Sequence, residues 1–404
     1  MRLTAAERRI VFLIGAVNFI NVLDFMIVMP LGPDFARELG IPTSHIGFIA
    51  GSYSAAGCVA GLIASSFLDR FDRRRALAVC MAGLVAGTAL GGLAVDLTTL
   101  LLARVVAGAF GGPAIAVAQA IIADAVAPER RGRATGAVTS AFSLAAVLGV
   151  PIGLELAERG GWRLPLFAVA TLGGVIVVGV IALLPPMRGH LRDAGGTGAA
   201  TLIDLVSRRR LWIAYALGGL PFFSVFLIIP NISAFVQINL EFPRARLDLL
   251  YLIGGGLSFF GTRLAGRIVD RIGATPVTVA ATLLLTIVML LCFVTRVPGI
   301  PVIAIFPLFM LVSSCRFVAT SATLTKVPAA AERAGFMSLL SAIQNFASTA
   351  GSFIAAQMLG VRPDGGLENM AAVTLLSIAV GLAIPLLMWS VEGSIRSQAP
   401  ERQT

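Results

Sequence analysis

The stretch Gly61–Leu77, GLIASSFLDRFDRRRAL, decides the fold. An apolar run ends abruptly in Asp69-Arg70-Phe71-Asp72-Arg73-Arg74-Arg75, and a second apolar run begins at Ala76. A charged turn this short cannot enter hydrocarbon, so it reverses at a membrane face. Its arginine excess marks that face as cytoplasmic. The design returns at Gly266-Arg267-Ile268-Val269-Asp270-Arg271-Ile272-Gly273, and Asp69 and Asp270 stand 201 positions apart, about half of the 404 residues. That spacing is expected of an internal duplication.

Composition points to the same class. Only 13% of residues are charged, 57% are hydrophobic, and mean hydropathy is +0.91. A water-soluble domain of this length cannot hide so much apolar surface, so the chain is polytopic in a membrane. The net charge of +10 does not indicate nucleic acid, because the basic residues sit in short loops between apolar spans. Cys58, Cys80, Cys292 and Cys315 all fall inside apolar spans without paired spacing or clustered histidine, so neither a disulfide frame nor a metal site is indicated. No cofactor is expected. Lys326 is the only lysine against thirty arginines, a bias expected of a GC-rich bacterial genome.

Twelve spans follow, at roughly 10–32, 45–67, 76–95, 99–123, 135–157, 165–185, 211–235, 247–269, 276–296, 300–324, 336–360 and 370–392. Each is long enough to cross a core about 30 Å thick at about 1.5 Å per residue. With both termini inside, cytoplasmic segments hold 22 of the 31 Lys+Arg and external ones 7, so both ends are assigned to the cytoplasm. Residues 186–210, glycine- and arginine-rich, read as a cytoplasmic linker with a short surface helix over Ala200–Val206. His45 and His190 read as solvated. The chain therefore divides into an N-terminal six-helix bundle (1–185), the linker, and a C-terminal six-helix bundle (211–404).

Asp24 is the only carboxylate deep within a span. Burial penalises its charged form unless a cation offsets the cost, and the obvious cation is Arg104. Asp24 lies about 21 Å from the cytoplasmic end of its helix and Arg104 about 27 Å from the same side, at comparable depth. The pair reads either as a proton-coupling site or as a structural tie between the first and fourth helices. Asn18, Asn21 and Phe25 share one side of the first helix. They line a cavity, or the two asparagines hydrogen-bond neighbouring helices. Arg316 has no acid at its depth in the second half, so backbone carbonyls or cavity water must satisfy it, and a substrate contact is one reading. Phe222, Phe223 and Phe226, with Gln344 and Asn345, are further cavity candidates.

The duplicated turn resembles the loop signature of the major facilitator superfamily, G-x-L-a-D-R-x-G-R-R. Asp69, Arg70, Arg73, Arg74 and Leu77 match the first copy, with Ser65 and Asp72 where the family usually has glycine. Gly266, Asp270, Arg271 and Gly273 match the second, where Ala274 replaces the next arginine. Arg104 and Gly108 resemble the family's fourth-helix motif R-x-x-q-G, associated with proton transfer in antiporters. Gly149-Val150-Pro151-Ile152-Gly153 resembles the Gly-Pro signature of drug and metabolite antiporters in this superfamily, although a proline bend with close helix contact is the reading the residues favour. Family behaviour would place that bend at the interface between halves. The resemblance also implies a conformational latch, with Asp69 at the first turn of the helix beginning around Gly335 and Arg73 paired with Asp124. The second copy, with Asp270 and Arg271 but no further arginine, implies a lopsided latch.

Taken over nearly the whole chain, the resemblance is to the twelve-span drug:proton antiporter branch. It implies an all-α membrane protein, twelve transmembrane helices in two pseudo-symmetric six-helix bundles rocking around a midplane cavity. The expected activity is proton-coupled efflux of a small amphiphilic compound or drug, by a monomer in the bacterial cytoplasmic membrane. Its partners would be substrate, protons and the bilayer, with no nucleic acid. A sugar or metabolite exporter and a non-transporting membrane sensor are the alternatives. No Ser-His-Asp set, Gly-rich phosphate loop or metal cluster suggests an enzyme.

Overall fold

The computed structural model describes residues 4–65, 71–187, 207–295, 301–328 and 333–398. The chain separates into two compact units, Met1–Gly196 and Thr197–Thr404, with the boundary inside the stretch read as a linker. His190 and Ala200–Val206 lie outside the described residues, as do Asp69 and Arg70.

The first unit contains α1 (Ala5–Ile27), α2 (Gly32–Leu39), α3 (Ile46–Ser65), α4 (Arg73–Gly92), α5 (Leu97–Ala125), α6 (Pro128–Leu144), α7 (Val150–Gly160) and α8 (Arg163–Leu183). The second contains α9 (Trp212–Phe226), α10 (Ile229–Ala234), α11 (Leu247–Ile272), α12 (Ala274–Met289), α13 (Val302–Leu324), α14 (Arg333–Met358) and α15 (Met370–Gln398). Within the first unit α3 lies along α5, α4 packs against α5 and α8, and α1 packs on α6 and α8. The second repeats these pairings as α11 on α13, α12 on α13 and α15, and α9 on α14 and α15.

Eleven helical stretches among the described residues are long and apolar enough to cross a membrane. Their outward faces are apolar too, with Phe260 71% and Trp389 74% exposed. That surface needs lipid rather than water as its solvent. The 26-residue α14 stands outside the eleven, since Ser338, Ser341, Gln344, Asn345, Ser348, Thr349 and Ser352 dilute its apolar residues. Phe336 anchors one end of α14 by stacking on Tyr215, with ring centroids 5.1 Å apart.

Three features differ from the expected outline. The first span ends at Ile27 instead of running to residue 32. Residues 28–31 turn before α2, whose second residue is Pro33. A short antiparallel ladder pairs Gly360–Val361 with Leu367–Glu368, held by Asn239, whose Nδ2 donates to the Leu367 carbonyl at 2.9 Å while its Oδ1 accepts from Leu367 N at 2.9 Å. The bend at Gly149-Pro151 is a π-helical turn, Ala145–Gly149, leading directly into α7. The wider turn accommodates a proline that lacks an N–H and would otherwise crowd the carbonyl one turn back.

Caps follow from sequence. Thr4 and Glu7 form a capping box on α1, and Glu7 also accepts from Arg130 Nη2 at 2.9 Å, tying the start of α1 to the start of α6. Asp72, one of the two acids in the charged turn, is the N-cap of α4: its carboxylate accepts from Arg74 N at 2.9 Å and from Met187 N at 3.3 Å. Asp96 caps α5 by accepting from Thr99 N at 2.8 Å, and that backbone bond, then the Thr99 hydroxyl, holds its carboxyl below the usual range.

Candidate functional site

Asp24 lies in the last turn of α1 and is fully buried. A carboxylate near a helix C-terminus faces the negative end of the helix dipole, so it needs compensation from elsewhere. Arg104 of α5 supplies it, donating from Nη1 to both carboxylate oxygens at 3.0 and 3.1 Å. Its Nη2 approaches the Asp24 carbonyl at 3.5 Å, while Nε is buried without a partner. Thr88 of α4 donates to Asp24 Oδ1 at 2.7 Å, and its hydroxyl also lies 2.9 Å from the Leu84 carbonyl. One hydroxyl proton serves both contacts, so its direction depends on the charge of Asp24.

Tyr53 of α3 closes the cluster. Its ring lies under the Arg104 guanidinium, 4.6 Å from Cζ to centroid, and against Phe25 at 5.3 Å. Its hydroxyl donates to Asn21 Oδ1 at 3.0 Å, and Asn21 Nδ2 donates to the Gly111 carbonyl at 2.8 Å. Glycine at 108 is a steric requirement: a Cβ there would run into the Tyr53 carbonyl, so α3 can cross α5 only at a residue without one. The Arg-x-x-x-Gly spacing thus sets the guanidinium one turn from the crossing that brings Tyr53 to it.

Of the two readings of the asparagines, hydrogen bonding to neighbouring helices is what the geometry contains. Asn18 Nδ2 donates to the Val138 carbonyl at 3.1 Å, and Asn21 is buried with both amide atoms engaged. Gly149 and Gly153 face α1, where a Cβ would meet Leu23, just before Asp24, and Ile27, one turn after Leu23. These two contacts pack the bend against α1 within the first unit. His45 is half-buried, with its ring edge-on to Phe48 at 5.4 Å, so it is not a freely solvated side chain.

At the far end of α5, Asp124 Oδ2 accepts from Arg73 Nε at 3.3 Å. Asp124 is near a helix C-terminus and Arg73 begins α4, so each charge is disfavoured by its own helix dipole and relieved by the other. Asp270 and Arg271 are exposed in the last turn of α11, which closes on Gly273 at φ +91°. There Ala274 N donates to Glu392 Oε1 at 3.2 Å.

In the second unit, Arg316 of α13 is 1% exposed. Its Nη2 reaches Ser224 Oγ of α9 at 3.4 Å, and its Nε is buried without a partner. Phe222 stacks near Phe226 and packs on Phe317 at 4.7 Å, an aromatic contact between α9 and α13, and Phe226 is itself buried. Phe223, Gln344 and Asn345 are half-buried. Adjacent on α14, the last two point about 100° apart and do not share one face.

Thr88, Tyr53 and Ser224 were not legible as site residues. Thr88 is the only hydroxyl between Ala76 and Gly92, a signal that was available but obscured by the glycines around it.

Residues 14–356 match the profile of the Major Facilitator Superfamily. A chloramphenicol resistance protein of Streptomyces lividans is 27% identical over 373 residues, covering 92% of this chain and 94% of the relative. The inner membrane transport protein YdhP of Escherichia coli (strain K12) is 27% identical over 248 residues, 60% of this chain and 61% of its own length. Among solved structures, a bacterial homolog of the human lysosomal transporter Spinster superposes with a TM-score of 0.72 at 16% identity, over 98% of both chains. The xylose transporter XylE from E. coli gives 0.71 at 16% identity, over 95% of this chain and 96% of that one. These likenesses carry the fold.

Proposed function

The chain belongs to the Major Facilitator Superfamily, and from that premise we propose that it exports a small amphiphilic compound or drug in exchange for protons, by alternating access. As a member it has the major facilitator fold and is an integral membrane transporter of a small-molecule substrate, not an enzyme. The finer reading places it as a monomer in a bacterial cytoplasmic membrane with both termini inside. Efflux is supported by the Streptomyces lividans relative named for chloramphenicol resistance.

The observation that carries proton coupling is the Asp24–Arg104–Thr88 cluster. With Asp24 charged, Arg104 and the Thr88 hydroxyl both donate to it. With Asp24 protonated, its own O–H donates to Thr88 Oγ1, and Thr88 turns its proton to the Leu84 carbonyl. Arg104 then keeps the Tyr53 face and the Asp24 carbonyl. Each protonation state therefore gives the carboxyl and the Thr88 hydroxyl their partners, and the two differ in how tightly α1 is held to α5. Proton and substrate occupy the transporter in turn. Asn18, Asn21, Phe25, Phe223, Phe226, Arg316, Gln344 and Asn345 remain the residues through which substrate is felt, the buried ones by shaping the helices behind the contact surface. Arg73 with Asp124, together with Asp69, Arg70, Asp270 and Arg271, forms the conformational latch.

The test is transport by purified protein in liposomes, with chloramphenicol as first probe and a pH gradient imposed or absent. Asp24→Asn keeps an acceptor for Arg104, and the Tyr53 ring holds a desolvated guanidinium by about 2 kcal/mol, so the variant is expected to fold. Uphill accumulation driven by the pH gradient should vanish while counterflow persists. Normal pH-driven accumulation by Asp24→Asn would make the pair a structural tie and move the proton route elsewhere.

A further inference from the structure

The two units treat their buried arginines differently. Pro30 and Pro230, and Phe35 and Phe235, stand 200 positions apart, and α1 and α9 both end just before their proline. On that register Ser224 falls where the first unit has Asp24. Arg104 is therefore matched by a carboxylate, whereas Arg316 meets only a serine hydroxyl.

Among the described residues of the second unit, no acid neutralises Arg316 from the helices packed around it. A guanidinium cannot give up its proton at working pH. No Asp or Glu occurs in α9, α13 or α14, and the one acid of α15, Glu392, is engaged with Ala274 N at the start of α12. Neither does α12 contain an acid, and those of α11, Asp248 and Asp270, lie at its two ends.

The serines give the guanidinium little. Ser377 Oγ donates to the Ser224 carbonyl at 2.6 Å, and Ser224 Oγ lies 3.1 Å from both the Ser377 carbonyl and its hydroxyl. Ser224 is thus left to accept one long bond from Arg316. Nη1 faces Gly381 of α15, where even a Cβ would come within 3.3 Å. One turn earlier on α13, Ser313 Oγ is also buried without a partner. Two unpartnered buried donors, Arg316 Nε and Ser313 Oγ, therefore sit at i and i+3 on one helix beside an uncompensated cation.

We propose that the second unit holds an anion site at Arg316 and Ser313, backed by Ser224, that takes one compact monovalent anion. The same chemistry is offered by a halide from the electrolyte or by the carboxylate of a transported molecule. A single negative charge completes the second unit as Asp24 completes the first. This deepens the substrate-contact role given to Arg316 and rests on that reading for its second source alone, since the halide needs no transport.

Thermal unfolding of the purified full chain in detergent tests it at constant ionic strength, with isethionate as the bulky background anion. Wild type should gain a few degrees in Tm, saturably, as chloride replaces isethionate, because a ligand bound only to the folded state stabilises it by mass action. Arg316→Gln should lose that dependence. Ser224→Asp, which places a carboxylate where the first unit has one, should be insensitive to the anion and melt at the chloride-saturated wild-type temperature. A parallel titration with benzoate separates the sources: saturation at lower concentration than chloride points to a substrate carboxylate, and a response to chloride alone points to the electrolyte. A wild-type Tm that is the same in chloride, benzoate and isethionate overturns the site, as does an anion response surviving in both variants. A failed flux assay would instead sink the transport reading and leave this result standing.

Discussion

Thr88 shows what one hydroxyl does at a buried charge. It is the group that lets Asp24 exchange a proton while the carboxyl and the hydroxyl themselves stay paired. Thr88→Val keeps the shape and removes the hydroxyl, so the charged form loses a donor and the neutral form loses an acceptor. We expect a roughly tenfold fall in pH-driven accumulation, equivalent to about 1.4 kcal/mol in the barrier. Counterflow should be close to normal, and Thr88→Ser should restore coupling; flux at matched protein levels decides. Asp24 and Arg104 were legible because a charge in an apolar run is conspicuous. Thr88 was not, because a threonine costs a membrane helix little and its partner lies 64 positions away. The asparagines of α1 were ambiguous for the same reason: spacing gives a face, and only the fold says what that face meets.

For the helices, the decisive contacts are glycines. Gly108→Val would drive a branched side chain into the Tyr53 backbone and part α3 from α5. Overpacking of this kind costs about 1–3 kcal/mol, so Tm should drop and transport fall even though no charged residue has changed. Gly136→Ala, open to space in α6, is the matched control and should be silent. The cap of α5 carries a pH dependence. The folded-state carboxyl of Asp96 is held low, so its contribution is present above the unfolded value near about 3.9 and is lost as pH falls through the folded one. Tm profiles of wild type and Asp96→Asn should run parallel at neutral pH and converge only in acid. Span positions were legible to within a few residues, because hydropathy marks where a helix must leave lipid. The early end of α1, the π turn before α7 and the β ladder were not, since each depends on backbone pairing that composition does not encode.

For the whole molecule, the duplication visible in two charged turns extends to which helix packs on which in each unit. Duplication did not preserve chemistry. Among the described residues, the first unit has a matched ion pair and an Arg73 braced by Asp124; the second has a buried guanidinium with no acid beside it, and its turn closes on Gly273 and Ala274. On this asymmetry Asp69→Asn should reduce transport several-fold more than Asp270→Asn, measured as initial rate per unit of protein in the membrane. Equal losses would mean that the copies still work alike.

The polarity of α14 matters before the protein ever moves a substrate. A segment carrying Gln344, Asn345 and a ladder of serines gains little by leaving water for hydrocarbon unaided. Inside the second unit it lies along α9, which is synthesised first. Insertion of α14 is therefore expected to be a joint event, with α9 already in place to cover its polar side chains. The birth of this transporter then depends on one helix escorting another into the membrane.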